Sequence, residues 1–351
     1  MTDNNQTADK KTLKHARLWV RRWLVLLGLL VYAIILVGGA TRLTDSGLSI
    51  TEWKPISGAL PPLDDRHWAE LFALYQQTAE YQLQNAGMLL HEFKFIYWWE
   101  WGHRLLGRLV GLVAILGFVV FWIRGWLSSG WKLKFGLLIA LGGLQGAIGW
   151  WMVSSGIGET TRIDVAPYRL MTHFCLALLI LCLICWFWLD YDPLKTKVRK
   201  ARLSPLLVVF SAVIFLQMAS GALVAGLDAG RTYTDWPMMA GKFIPNAYWN
   251  DGLGIRNLFE NVATAQFNHR VLAYLIAVLL VAVLWMKRSR LSENGLMIVS
   301  GLVAAQIAWG VYTLLSAAPL ELALVHQGIG VLVLLTSVWS LYRDSQLAAS
   351  N

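Results

Sequence analysis

The sequence predicts an all-α polytopic membrane protein: eight transmembrane helices forming two parallel four-helix repeats, related by a pseudo-two-fold axis along the membrane normal. Three observations predict it. Hydrophobic residues make up 57% of the 351-residue chain and charged residues only 15%, against about 25% charged in a soluble domain. Apolar runs long enough to cross a bilayer recur along the whole length. The two halves also carry the same landmarks in the same order.

The apolar runs fall at 23–41, 105–123, 135–153, 170–189, 204–227, 271–286, 295–318 and 322–342. The second and sixth are short, so their helices are expected to begin earlier, in the outer headgroup region. Lys10, Lys11, Lys14, Arg17, Arg21 and Arg22 precede the first run. Lys195, Lys197, Arg199, Lys200 and Arg202 form a second basic cluster, and Lys287, Arg288 and Arg290 a third. Basic clusters in alternate short connections mark the cytoplasmic side. The formal charge of +9 therefore reports topology and excludes a nucleic-acid partner. Both termini are expected to be cytoplasmic, in a bacterial inner membrane. The first run lacks a small-residue cleavage site and reads as retained.

The chain divides into a basic tail (1–22), an N-terminal half (23–195), a C-terminal half (204–342) and a short tail (343–351). Long outer loops at 41–95 and 227–266 and shorter ones near 154–169 and Pro319 lie on the far side. Cys175, Cys182 and Cys185 share one apolar run, so no disulfide framework is available to the outer loops. They read as small apolar packing groups.

Five correspondences define the repeat. Asp45 and Gly47 after the first span match Asp228 and Gly230 after the fifth, and Trp53 and Trp236 each follow eight residues after the aspartate. Glu100, His103 and Arg104 match Gln266, His269 and Arg270. Gln145 and Gly149 match Gln306 and Gly310. His173 and His326 stand near the starts of spans four and eight. Each half has an even number of spans, so both insert with the same orientation.

Four histidines, His103, His173, His269 and His326, thus stand at the outer ends of even-numbered spans, two in each half. His15, His67 and His91 have no repeat partner and read as solvated. Zinc usually takes three or four ligands close together. Two imidazoles on separate helices suit instead the axial positions of a haem iron, near the periplasmic side. Gly38, Gly39, Gly146, Gly149, Gly221 and Gly310 either let backbones approach a flat macrocycle or serve close helix packing. Arg42, Arg104, Arg231 and Arg270 lie at the outer boundary, as propionate partners or as interfacial residues. The halves differ at one telling place. Glu100 can move a proton or offset a developing positive charge, and Gln266 can do neither. The first half therefore reads as a reaction site, the second as the seat of a retained cofactor. The alternatives are a bis-histidine di-haem cytochrome b confined to electron transfer, and a transporter. The first predicts symmetric halves; the second usually places its site near the midplane.

The stretches TRLTDSGLSITEWKPISGALPP, FKFIYWWEWGHR, QGAIGWWMVSSG, GALVAGLDAG, QFNHR and VHQ resemble the haem A synthase family, in its alphaproteobacterial and mitochondrial branch. The resemblance spans nearly everything from the first span to the eighth. It implies oxidation of a ring methyl of haem O to the formyl group of haem A, by successive hydroxylations. By motif position it implies His103 and His173 around the substrate haem, Glu100 as catalytic carboxylate, and His269 and His326 around a haem B that passes electrons. Haem O synthase and an electron-transfer protein are the implied partners, in a lipid setting compatible with an oligomer. Another branch has a cysteine pair in the outer loops; this sequence lacks it, so no thiol relay carries over.

Overall fold

The computed structural model describes residues 2–158, 160–194, 202–292 and 295–348, with side chains from Lys11 onward apart from that of Arg290. Eight helices are long and apolar enough to cross a membrane, and among the described residues no strand accompanies them. They are α1 (Thr2–Leu43), α2 (Leu90–Ile123), α3 (Ser129–Val153), α4 (Pro167–Asp190), α5 (Pro205–Gly226), α6 (Val262–Met286), α7 (Leu296–Leu315) and α8 (Leu320–Ala348). The all-α, eight-span expectation is borne out. Of the second basic cluster, Lys195, Lys197, Arg199 and Lys200 lie outside the described residues.

Helix ends follow local chemistry. Helices α2 and α6 begin well before their apolar runs, as the shortness of those runs implied. The Glu92 side chain accepts from the Leu89 amide at 2.7 Å, filling one orphan donor of the first turn. Asn261 caps α6 by accepting from the amides of Ala263 at 2.9 Å and Thr264 at 3.2 Å. Pro167 and Pro205 open α4 and α5, where a missing N–H costs nothing. Helix α1 runs through the basic tail and the first span for 42 residues, roughly 60 Å at helical rise.

In the first half, α1 packs on α2, α2 on α3, α3 on α4, and α4 back on α1. In the second half α5, α6, α7 and α8 close a ring in the same way. The halves meet through α1 against α8, α4 against α5, and α4 against α8. Leu24, Leu27, Leu178, Leu207, Phe210 and Leu334 fill this seam with buried side chains.

The first outer loop is folded onto the bundle. Short helices Asp65–Tyr75 and Ala79–Leu83 start at Asp64 and Thr78, whose side chains accept from the His67 and Tyr81 amides. Trp68 and Tyr75 are buried against Phe93, Ile96 and Tyr97 on the extramembrane start of α2. The loop thus forms a lid of aromatic contacts above the first half.

Helices α1 and α2 approach closely where Trp23 lies over Gly117. The indole Nε1 donates to the Val113 carbonyl at 2.9 Å, and a Cβ at Gly117 would lie 2.1 Å from that nitrogen. Gly117→Ala is therefore expected to destabilise the protein by about 1–3 kcal/mol, the usual cost of overpacking. Thermal melting in detergent checks this; an unchanged midpoint would mean that the indole moves aside freely.

Candidate functional site

Each of the four histidines meets a glycine of a neighbouring helix. A Cβ at Gly149 would lie 2.9 Å from His173 Cε1, and one at Gly310 would lie 2.6 Å from His326 Cε1. At Gly38 the distance to His103 Nε2 would be 3.1 Å, and at Gly221 that to His269 Cε1 would be 3.2 Å. These four glycines make room for imidazole rings. Gly39 instead receives the Gln327 side chain, which donates to the Ile35 carbonyl at 2.9 Å and so joins α8 to α1. No side chain or backbone of another segment faces Gly146 this closely.

The ring centres of His269 and His326 are 6.4 Å apart, with planes at 72°. An iron held about 2 Å from one nitrogen of each ring needs ring centres roughly 6 Å apart, a separation this pair has. His103 and His173 lie within electrostatic reach of each other. Glutamines surround the rings. Gln145 Nε2 donates to the His173 carbonyl at 3.0 Å and lies 3.2 Å from Nδ1 of that residue. Gln306 Nε2 donates to the His326 carbonyl at 3.0 Å. Gln217 Nε2 sits 3.2 Å from both ring nitrogens of His269; in the repeat alignment Ile34 occupies its place in the first half. The Oε1 atoms of Gln145, Gln217 and Gln306, and His326 Nδ1, are buried with no hydrogen-bond partner among the described residues. Buried polar atoms are normally satisfied, so both histidine pairs stand in surroundings suited to a polar or metal-bearing guest.

Glu100 is 2% exposed. One carboxylate oxygen accepts from Ser49 Oγ at 2.8 Å and the Ile50 amide at 2.7 Å. The other accepts from Arg104 Nη2 at 2.6 Å. Three donors thus converge on this carboxylate. Arg104 also donates to the carbonyls of Ile50 at 2.9 Å and Glu52 at 3.0 Å. One turn further along α2, Arg108 donates to the carbonyls of Pro55 at 2.8 Å and Lys54 at 2.9 Å. A stripe at positions 100, 104 and 108 thus pins the loop strand 49–55. In the second half Arg270 donates to the carbonyls of Tyr233 at 3.0 Å and Asp235 at 2.9 Å, and Gln266 Nε2 donates to Tyr233 at 2.9 Å. Gln266 Oε1 is left buried and unpartnered among the described residues.

The arginines expected near propionates divide differently. Arg42, 8% exposed, meets Asp45 at 2.8 Å, Asp228 at 2.7 Å and Asp164 at 3.3 Å. Arg104 and Arg270 are taken up as described. Arg231 is exposed, with no acceptor among the described residues. His15, His67 and His91 are exposed, as read from the sequence.

Sequence reasoning missed one buried acid. Glu80, in the first outer loop, is 2% exposed, and its Oε2 has no partner among the described residues. Burial first, then the neighbouring charges of Glu100, Asp164 and Asp45, push its carboxyl up to about 9, with a hydrogen bond from Tyr75 acting the other way. Burial and then Glu80 likewise push the Tyr75 hydroxyl up, while Asn85 donates to it at 2.8 Å. The stretch of loop around Glu80 has no repeat counterpart, so no sequence signal pointed to it.

Fold and site first define a class: a multi-pass helical membrane protein whose paired histidines suit haem-type ligands. The chain belongs to the COX15-CtaA family, described as cytochrome oxidase assembly protein, whose profile matches residues 21–338. It is 58% identical over 325 residues to heme A synthase of Hyphomonas neptunium, covering 93% of each chain. It is 48% identical over 322 residues to heme A synthase of Maricaulis maris, covering 91% of this chain and 94% of that one. It is also 48% identical over 335 residues to heme A synthase of Paracoccus denitrificans, covering 93% and 87%.

Glu80 makes stability depend on pH. Its folded value lies above the usual 4.5, so its contribution is complete below that value and is lost as pH rises toward about 9. Glu80→Gln, which does not titrate, should gain in melting temperature over the parent, and the gain should grow between pH 6 and pH 9. A gain independent of pH would show that Glu80 does not carry a proton in the folded state.

Proposed function

We propose that this chain is an enzyme of haem A synthesis, oxidising a ring methyl of haem O to the formyl group of haem A for terminal oxidases. Family membership and the names of relatives similar over nearly the whole chain support it. The observation that carries the reading at the level of residues is the difference between two otherwise matching surroundings. A carboxylate stands at position 100 and an amide at position 266. Purely electron-transferring halves would give no reason for it.

In this reading the N-terminal half (23–195) holds haem O between His103 and His173. The C-terminal half (204–342) holds haem B between His269 and His326, where it supplies one-electron chemistry. The ring separation in the second pair supports that assignment. The halves are related by a pseudo-two-fold axis along the membrane normal, with both termini cytoplasmic and the histidines toward the periplasm. The recurrent arginine-to-carbonyl bonds and the placing of the basic clusters support this arrangement.

Glu100 acts as a fixed negative charge. Oxidation of the methyl group leaves positive charge beside the ring, and a preorganised, dehydrated carboxylate stabilises it without reorganising. Its three hydrogen bonds fix its orientation, and the oxygen bound by Arg104 keeps one lone pair with which the carboxylate can also take a proton. Arg104 orients Glu100 and closes the loop over the site. Of the four outer arginines, Arg231 has donors free for a propionate.

Haems extracted from cells supplied with haem O test the proposal. Glu100→Gln turns an amide N–H₂ toward one of the donors now bound by the carboxylate, costing about 1–3 kcal/mol of stability. Its haem B content reports that the rest of the protein is folded. Haem A formation is expected to fall by about 100-fold or more, with haem O accumulating and haem B retained. Gln266→Glu should leave haem A formation largely intact. Normal haem A output from Glu100→Gln would make Glu100 a structural residue. His269→Ala or His326→Ala should deplete haem B; full occupancy in both would reject that cofactor site.

A further inference from the structure

The end of the bundle opposite the histidines holds a cleft of about 660 Å³ between α1 and the end of α4. Its α1 wall presents Lys14, Leu18, Arg21, Arg22 and Val25, spaced so that they share one helix face. On the other side Trp188 lies under the Arg21 guanidinium, 4.7 Å from ring centre to Cζ. Arg17 is paired with Asp192 at 3.5 Å. Among the described residues no carboxylate pairs with Lys14, Arg21 or Arg22. Three cations thus converge on a cleft whose remaining wall is apolar, with Leu18 and Val25 44% and 45% exposed.

The position of the cleft fixes what it meets. From Trp23 onward α1 is almost wholly apolar, so Val25 lies at hydrocarbon depth and Lys14 in the headgroup layer. A free inorganic anion would satisfy the cations but leave Leu18, Val25 and the Trp188 face uncovered. An acidic protein segment would have to place its backbone against lipid. A phospholipid with a net negative headgroup matches both parts: phosphate on the cations, acyl chain along the apolar wall. Basic pockets between membrane helices at this depth recognise such lipids by the same chemistry.

We propose that this cleft is a specific site for an anionic phospholipid, its phosphate held by Lys14, Arg21 and Arg22 and its acyl chain lying along Leu18 and Val25. The Arg21–Trp188 stack holds one donor in place before the lipid arrives, which lowers the ordering cost of binding.

The test uses the full-length protein, delipidated in mild detergent and titrated with phosphatidylglycerol or with phosphatidylcholine of the same chain length. Phosphatidylglycerol is expected to bind about tenfold more tightly. The triple variant Lys14→Gln/Arg21→Gln/Arg22→Gln should lose that preference. The control pair Arg124→Gln/Lys132→Gln, which removes cations from the same end of the bundle outside the cleft, should keep it. Val25→Trp leaves every charge in place and fills the apolar wall; it should weaken phosphatidylglycerol several-fold. Three outcomes would overturn the proposal: unchanged preference in the triple variant, equal loss in the control pair, or displacement of phosphatidylglycerol by millimolar inorganic phosphate. The first would mean that the lipid binds elsewhere, the second a diffuse surface-charge effect, and the third a free-anion site.

Discussion

The Arg42 guanidinium, buried among three aspartates, is the interaction on which the outer architecture depends. A buried guanidinium is costly unless several acceptors surround it. Asp45 comes from the turn that ends α1, Asp164 from the loop before α4, and Asp228 from the turn that ends α5. Asp45 and Asp228 each take a left-handed backbone at φ 49°, a conformation that aspartate tolerates better than most residues. Burial, opposed by Arg42, holds the Asp164 carboxyl above its usual range. One side chain thereby fixes where both long outer loops leave the membrane.

From those fixed points each loop is laid down by a second arginine. Arg104 and Arg270 bind loop carbonyls two residues apart, and a carbonyl so bound needs no water. The folded loops then cover Glu100 and Gln266, which are 2% and 3% exposed. Dehydration strengthens the field of any charge left there. In the first half that charge is Glu100, already neutralised in part by Arg104. In the second half the matching group is a neutral amide, and the Arg270 cation beside it is bound by backbone carbonyls alone among the described residues.

What could be read from the sequence followed the strength of its patterns. Eight apolar runs specify eight spans because a membrane leaves the backbone few other choices. The early starts of α2 and α6 were legible from the shortness of their runs. The histidine pairs were legible because they recur at matching places. Repetition is blind to what occurs once. Gln217 has Ile34 in the matching place, and Glu80 lies in a stretch of loop without a counterpart. Ser49 and Ile50 meet Glu100 only through tertiary folding. The acceptors of Arg42 were hidden for a related reason: they are three aspartates distant from one another in sequence, and only the fold brings them together.

Arg42 also bears on the relation between the two halves. In the repeat alignment Ala225 occupies the place in the second half that Arg42 holds in the first. Contacts of α1 with α8 and of α4 with α5 are the self-complementary pattern that two copies of one half would make across a two-fold axis. In such a homodimer any arginine at this position would appear twice, with its acceptors repeated as well. On one polypeptide the two positions are free to differ, and here only one of them carries a cation. The same freedom allows Glu100 and Gln266 to differ. The clasp between the halves and the difference between Glu100 and Gln266 are thus both departures from exact repetition.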